Sequence, residues 1–232
     1  LPLPSILSSK DREAILQFDT GQISNAIETF GARLRNEGYA LPGIRCQTKP
    51  DPRVLGYAVT CRVRTDGPPL SGRAYPDRTD WWSLIRSFPE PRIAVLQDIS
   101  TVPGSGSIAG ETHSVILQAL GCSALITNGS VRDITSVSRL GFPLFSSGVC
   151  PSHSYFHLID FGEPVEINGL HVAPGDLLFG DCQGIVSIPL SLALQLPSVA
   201  ARQAAREQRV VELCQSPDFS IEQLRNEIEG PV

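Results

Sequence analysis

The chain has 232 residues, enough for one large domain or two small ones around a buried core. Its net charge of −5 supplies no basic field, which argues against nucleic acid or an anionic membrane surface as a partner. Apolar and charged fractions of 41% and 19% are ordinary for a globular protein, and no apolar run approaches the ~20 residues that a bilayer span needs.

The opening stretch, LPLPSILSSKDREAI, carries no basic-then-apolar signal pattern, and because it starts on Leu1 the natural N-terminus is left open. Residues 10–38 show helical patterns. Ala14, Ile15 and Phe18 form one apolar cluster. Thr20 is expected to cap a second helix, GQISNAIETFGARL, with Ile23, Ala26, Ile27, Phe30 and Leu34 on one face. Asn25, near that face, reads as a solvated or capping residue, with a place in a site as the alternative. Residues 54–65, VLGYAVTCRVRT, alternate in the manner of a half-buried strand. A Pro/Gly-rich loop, GPPLSGRAYPD, then leads to the helix DWWSLIRSF, begun by Asp80. Adjacent Trp81 and Trp82 on a short helix are read as packing residues, with stacking on a ligand as the alternative.

IAVLQDIS (93–100) has the composition of a core strand and runs into the polar loop TVPGSGSIAG. That loop lacks the Gly-Lys-Ser/Thr ending of a P-loop, so no lysine is placed for nucleotide phosphates. The next stretch, GETHSVILQALGCSALITNGSVRD (110–133), holds the site candidates. Its helix, ETHSVILQAL, is expected to bury Val115, Ile116, Ala119 and Leu120 and to end at Gly121. CSALIT is a short buried strand, which makes the passage β-α-β with parallel pairing. Asn128-Gly129 is a turn at the carboxyl end of that strand, where open α/β sheets gather ligands. Twenty residues separate Glu111 from Arg132, and the turn presents Arg132 and Asp133 together. A fixed cation beside a hard carboxylate, facing a helix N-terminus, suits a small carboxylate and a divalent ion. A surface Arg-Asp pair is also common without any such role.

Downstream, Pro143–Ser147 reads as another short strand. His153 and His157 are separated by four, a zinc-compatible spacing on a helix, but Pro151-Ser152 and the lack of a third ligand argue against metal there. EPVEINGLHVAPGDLLFGDCQGIVSIP reads as β, with a hairpin at Asn168-Gly169, a turn at 174–176 and a final strand IVSIP. Turn chemistry accounts for Asp176 and Asp181. The remaining segments, from LALQL onward, are helical with mixed charge. The six cysteines, Cys46, Cys61, Cys122, Cys150, Cys182 and Cys214, have neither CxxC nor metal-like spacing. They read as free thiols serving as small buried hydrophobes in a reducing compartment, so the expected location is cytoplasmic.

The order GE, twenty residues, RD, then LGFPLFSSG, EPVEINGLHVAPGD and GDxxGIVSIP resembles the RraA-like family. The resemblance runs from about Thr20 to the C-terminal helices and is most specific over residues 110–189. It implies an α/β fold, a swivelling β/β/α domain with flanking N- and C-terminal helices. The expected organisation is a single domain over residues 1–232, with a family core of about 20–190 and C-terminal helices over about 191–229. The family includes class II 4-hydroxy-4-methyl-2-oxoglutarate (HMG)/4-carboxy-4-hydroxy-2-oxoadipate aldolases with oxaloacetate decarboxylase activity, and also non-catalytic regulators of ribonuclease activity. Carried over by position, Asp133 would ligate Mg²⁺ or Mn²⁺ and Arg132 would pair with the substrate carboxylate. Gly110, Glu111, Thr112 and His113 would form the loop that binds a 2-oxo acid, with Glu111 holding a water. A C-terminal glutamate from a neighbouring subunit would assist, Glu207 first and Glu212 second. Active sites between the subunits of a homotrimer or homohexamer are implied. Asn128, Phe179 and the Cys182-Gln183 pair depart from the usual residues and could reshape the pocket toward a different or larger oxo acid, so a member recruited to other chemistry stays open.

Overall fold

A computed structural model describes residues 7–48, 53–69 and 78–229 of the chain. Two helices come first, α1 (Ser9–Ile15) and α2 (Thr20–Glu28), then strands β1 (Arg45–Cys46) and β2 (Val54–Arg64). Helix α3 (Arg78–Ser87) leads into β3 (Arg92–Asp98), β4 (Ser107–Ala109) and α4 (Glu111–Ala119). Next come β5 (Cys122–Thr127), β6 (Ser130–Val131), α5 (Ile134–Leu140), β7 (Leu144–Ser146) and β8 (Gly148–Val149). Strands β9 (His157–Phe161), β10 (Val165–Ile167), β11 (Leu170–Val172), β12 (Leu177–Asp181) and β13 (Gly184–Ile188) precede α6 (Leu196–Gln215) and α7 (Ile221–Glu229).

The main sheet runs β1-β7-β5-β3-β2-β12-β13, with β9 also pairing β2. Strands β2, β3, β5 and β7 are parallel, and each neighbouring pair is joined through a helix, α3, α4 or α5. Parallel strands need such crossovers, and the helices cover one face of the sheet. The long β2 forks: Val54–Tyr57 pairs with β12, and Cys61–Arg64 pairs with β9 along the same edge. The two outer edges nearly meet through one segment. Ala40 donates to Ile185 O and Tyr39 bridges Val186 on β13, while Arg45 and Cys46 pair with β7. The sheet is therefore a nearly closed barrel flanked by helices.

Side-chain alternation along β2 explains why it is buried on both faces. Leu55 and Tyr57 face α1, α2 and α6, Val54 and Ala58 face the barrel interior, and Val59, Cys61 and Val63 pack toward α3 and α4. The half-buried reading is thus corrected: only Arg64 at its end is exposed. Helix α2 is also shorter than its apolar pattern suggests. Its cap is Asp19, in a reciprocal box with Gln22, and Thr20 is the first helical residue. It ends at Glu28; Gly31 follows at φ +57°, and Leu34 is exposed. In α4 the buried positions are Ser114 and Leu117, while Val115 and Ala119 face outward. The helix ends as expected, with Gly121 at φ +77°.

Asn168 and Gly169 both have positive φ in the β10–β11 hairpin, and Asp176 Oδ2 accepts the Ala173 N–H within its turn. All six cysteines are free, but only Cys61 and Cys122 are buried; Cys182 and Cys214 are exposed, so the small-hydrophobe reading holds for a minority. Burial pushes the Cys61 thiol well above its usual range and raises Cys122 to about 12. Among the described residues, no helix is long and apolar enough to cross a membrane.

Candidate functional site

A second, three-stranded sheet brings the two halves of the 110–133 stretch together. Each of β3, β5 and β7 runs on into a short strand, β4, β6 or β8, and these pair in parallel in the order β4-β6-β8. Ser107 lies opposite Ser130 and Ala109 opposite Val131. The residues that follow, Gly110 and Arg132-Asp133, are consequently neighbours, although twenty residues separate the Glu111 and Arg132 positions in sequence. The Arg132 N–H donates to Ala109 O at 2.9 Å and fixes this junction.

Gly110 is the N-cap of α4 and has no side chain with which to cap it. Asp133 performs that task from the neighbouring segment, with Oδ2 accepting the Glu111 N–H at 3.1 Å. A Cβ on Gly110 would overlap the Asp133 carboxylate and lie 3.0 Å from Arg132 Cγ, so glycine is needed for the approach. Asp133 has φ 56° and ψ 34°, a left-handed conformation that Asp and Asn tolerate better than other side chains. Its carbonyl accepts from Val137 and starts α5.

Arg132 Nε lies 3.6 Å from Asp133 Oδ2, and both side chains are partly exposed. Asp133 Oδ1 has no donor among the described residues. Ser114 returns its N–H to Gly110 O at 3.0 Å. Of the first-turn amides, those of Thr112 and His113 are left without an acceptor in the described protein. Free amides at a helix N-terminus, reinforced by the helix dipole, are chemically suited to an anion.

These groups open into a cavity of about 400 Å³. Gly110, Glu111, Thr112, His113, Arg132 and Asp133 all line it. Across from them stand α3, with Arg78, Trp81 and Trp82, and the loop after β8, with His153, Tyr155 and Phe156. His113 Nδ1 is 3.2 Å from Ile108 O, and its ring centroid is 6.1 Å from that of Phe156. Burial holds its pKa below the usual imidazole value; the Ile108 carbonyl opposes that shift and the Arg78 charge adds to it.

Other expected site residues lie elsewhere. Glu207 is exposed on α6, which packs against α2, so within one chain neither it nor Glu212 reaches the cavity. Asn128 does not line this cavity. Its side chain accepts the Asp98 N–H at 2.6 Å and donates to Asp98 O at 3.0 Å, tying the ends of β3 and β5 together. Phe179 is core under α2, and Gln183 donates to Asp181 at the β12–β13 turn. Asp181 does more than shape that turn, since it also accepts the Thr20 N–H and hydroxyl at 2.7 Å each. His153 sits in a loop and His157 begins β9, so they share no helix. Sequence reading missed Arg78, Tyr155 and Phe156. Their one signal was an aromatic pair, Tyr155-Phe156, beside a proline-led loop.

The donor set decides which ion the site could hold. Among the described residues no three His, Cys, Asp or Glu side chains converge. What is available is hard oxygen, the free Asp133 Oδ1 and the exposed Glu111 carboxylate. That fits Mg²⁺ or Mn²⁺ kept largely hydrated, and does not fit a closed zinc site.

The profile of the RraA-like family, described as Aldolase/RraA, matches residues 20–187. The chain belongs to that family. A relative from Halalkalibacterium halodurans, named "Putative 4-hydroxy-4-methyl-2-oxoglutarate aldolase", is 32% identical over 84 residues, 36% of this chain and 40% of the relative. Among solved structures, an uncharacterized protein of Pseudomonas syringae pv. tomato superposes with a TM-score of 0.72 at 25% identity, covering 97% of each chain. Streptomyces coelicolor RraAS2, described as an unusual member of the RNase ES inhibitor RraA family, superposes at 0.67 with 19% identity, covering 87% of this RraA-like chain and 96% of its own.

Proposed function

We propose that this RraA-like protein is a divalent-metal-dependent carbon–carbon lyase acting on 2-oxo acids. The observation that carries the proposal is the junction at α4. One Asp133 oxygen caps the helix, the other is free, and Arg132 and the amides of Thr112 and His113 share the same cavity. The membership in Aldolase/RraA and the aldolase name of a partial relative support the same reaction class.

In this reading Arg132 and the two amides bind the substrate's C1 carboxylate and set its orientation. Asp133 would hold Mg²⁺ or Mn²⁺, with Glu111 acting through water, and the ion would supply Lewis-acid charge at the 2-oxo oxygen. For an HMG-type substrate, a base takes the C4 hydroxyl proton and the C3–C4 bond breaks. The C4 oxygen becomes the ketone of one pyruvate, the bond's electrons pass to C3 and the 2-oxo group as an enolate, and a proton delivered to C3 completes the second pyruvate. Oxaloacetate reaches the same enolate by losing CO₂. Glu207 of a neighbouring copy is the proposed base, which requires the homotrimer or homohexamer that the family resemblance implies.

The test is pyruvate release from HMG and oxaloacetate with Mg²⁺, Mn²⁺ or EDTA, for the wild type and for Asp133→Asn. Turnover that needs the metal and the carboxylate is expected. A second reading, a protein-binding regulator without catalysis, draws on the name of the Streptomyces neighbour and on the sparse metal donors. Absence of turnover on both acids, with no Mn²⁺ retained in equilibrium dialysis, would select it.

A further inference from the structure

The cavity has two chemically different ends. Arg132, Asp133 and the first turn of α4 make one end polar. At the other, Trp82 from α3 and Phe156 from the loop after β8 pack on the core with one side and remain partly exposed toward the cavity with the other. Ile116, one turn along α4 from Thr112, lines the space between them. The Arg78 guanidinium lies over the Phe156 ring, 5.5 Å from its centroid. Among the described residues no carboxylate pairs with Arg78.

A three-carbon oxo acid would fill the polar end and leave these aromatic faces wet. A volume of about 400 Å³ falls instead in the range of pockets that enclose drug-sized ligands, about 300–1,000 Å³. We infer that the Trp82–Phe156–Arg78 end is a subsite for the substrate's side chain, and that the 2-oxo acid taken here carries an aryl group. The inference rests on the oxo-acid reading of the polar end. A ring seated against Trp82 and Phe156 removes apolar surface from water on both partners. Each aromatic pairing adds about two- to tenfold in affinity beyond that burial. Arg78, paired with no carboxylate among the described residues, favours the electron-rich face or a phenolic oxygen of that ring.

The chain's two tryptophans are Trp81 and Trp82, and both line this cavity, so intrinsic indole fluorescence reports from it alone. The full chain is titrated in Mg²⁺ with pyruvate, 2-oxoglutarate and phenylpyruvate, following fluorescence and repeating each titration by calorimetry. Phenylpyruvate is expected to bind at least about tenfold tighter than pyruvate. Trp82→Ala is expected to shrink that preference to about twofold, and Arg78→Gln to reduce it about threefold. Arg78 is exposed, so its variant keeps the test informative should Trp82→Ala fold poorly. Equal affinity for pyruvate and phenylpyruvate overturns the aryl subsite while leaving the oxo-acid reading intact. Preference for 2-oxoglutarate over both also overturns it, in favour of a second carboxylate at Arg78. Failure of all three acids to bind overturns the oxo-acid reading, and the subsite with it.

Discussion

Asp98 and Asp133 are two aspartates at the same end of the sheet, one closing β3 and the other following β6, yet their surroundings assign them opposite work. Asp98 is fully buried and its carboxylate is saturated. Oδ1 accepts the N–H and the hydroxyl of Ser100, and Oδ2 accepts the Gly104 N–H at 2.8 Å and the Thr65 hydroxyl at 3.3 Å. Its backbone is held by Asn128 in addition. Asp133 is partly exposed, commits one oxygen to a helix amide and keeps the other. A carboxylate whose acceptor sites are filled by the protein shapes the loop that carries it; one with a free oxygen facing a cavity can take a ligand.

The largest effect expected is at the saturated residue. Asp98→Ala leaves four donors around a buried void and should destabilise the fold by about 3–5 kcal/mol, measured by urea unfolding. A loss under about 1 kcal/mol would mean that the loop 99–106 is not held as described. Asp133→Asn should give the reverse result. Asparagine tolerates the left-handed backbone and its amide oxygen can still cap α4, so stability should stay within about 1 kcal/mol. Metal-dependent release of pyruvate should meanwhile fall by about 10²–10³-fold. Equal activity in the two proteins would put the metal on other residues.

Gly110→Ala tests the contact between the two halves of the site. The added methyl must displace the Asp133 carboxylate and crowd Arg132. A shift of ~1 Å in positioned groups can lower turnover about a hundredfold. Because the Asp133 carboxylate also caps α4, and alanine is a poorer N-cap than glycine, the variant should lose about 1 kcal/mol of stability as well. Full activity in this variant would show that the approach of Gly110 to Asp133 is dispensable.

Much of this arrangement was legible in the chain. The apolar run CSALIT and the glycine after Leu120 marked β5 and the end of α4, and Asn168-Gly169 marked its hairpin, because those signals act within a few residues. The pairing of β4 with β6 was not readable from two- and three-residue strands; only the GE–RD spacing of a family pointed to it. The buried face of α4 does not follow its apolar content, because the helix begins at the site. Ser114 is buried because its hydroxyl returns to Gly110 O at 2.8 Å, and Val115 is left facing out. Asn128 looked like a pocket residue because the tertiary contact that employs it, the backbone of Asp98 thirty residues earlier, leaves no local trace.

The smallest expected effect concerns His113, which lies between the polar and aromatic ends of the cavity. Its pKa in the folded protein is held below the value of about 6.5 for a free imidazole. Between those two values the unfolded chain binds a proton that the folded chain does not, so acid favours unfolding there. The contribution of His113 to stability is therefore present above about pH 6.5 and is lost as pH falls through the folded value. Asp11 and Asp66 have lowered pKa values and act in the other window: their contributions are lost only below the ordinary carboxylate range near 4. Melting temperature followed from pH 7.5 to 5 in EDTA separates the two. His113→Phe keeps a ring beside Phe156 but cannot titrate, so its decline between about pH 6.5 and 5 should be shallower than that of the wild type. Parallel curves would show that protonated His113 is accommodated in the folded cavity, and the aromatic end would then carry more positive charge at mild acidity than Arg78 alone provides.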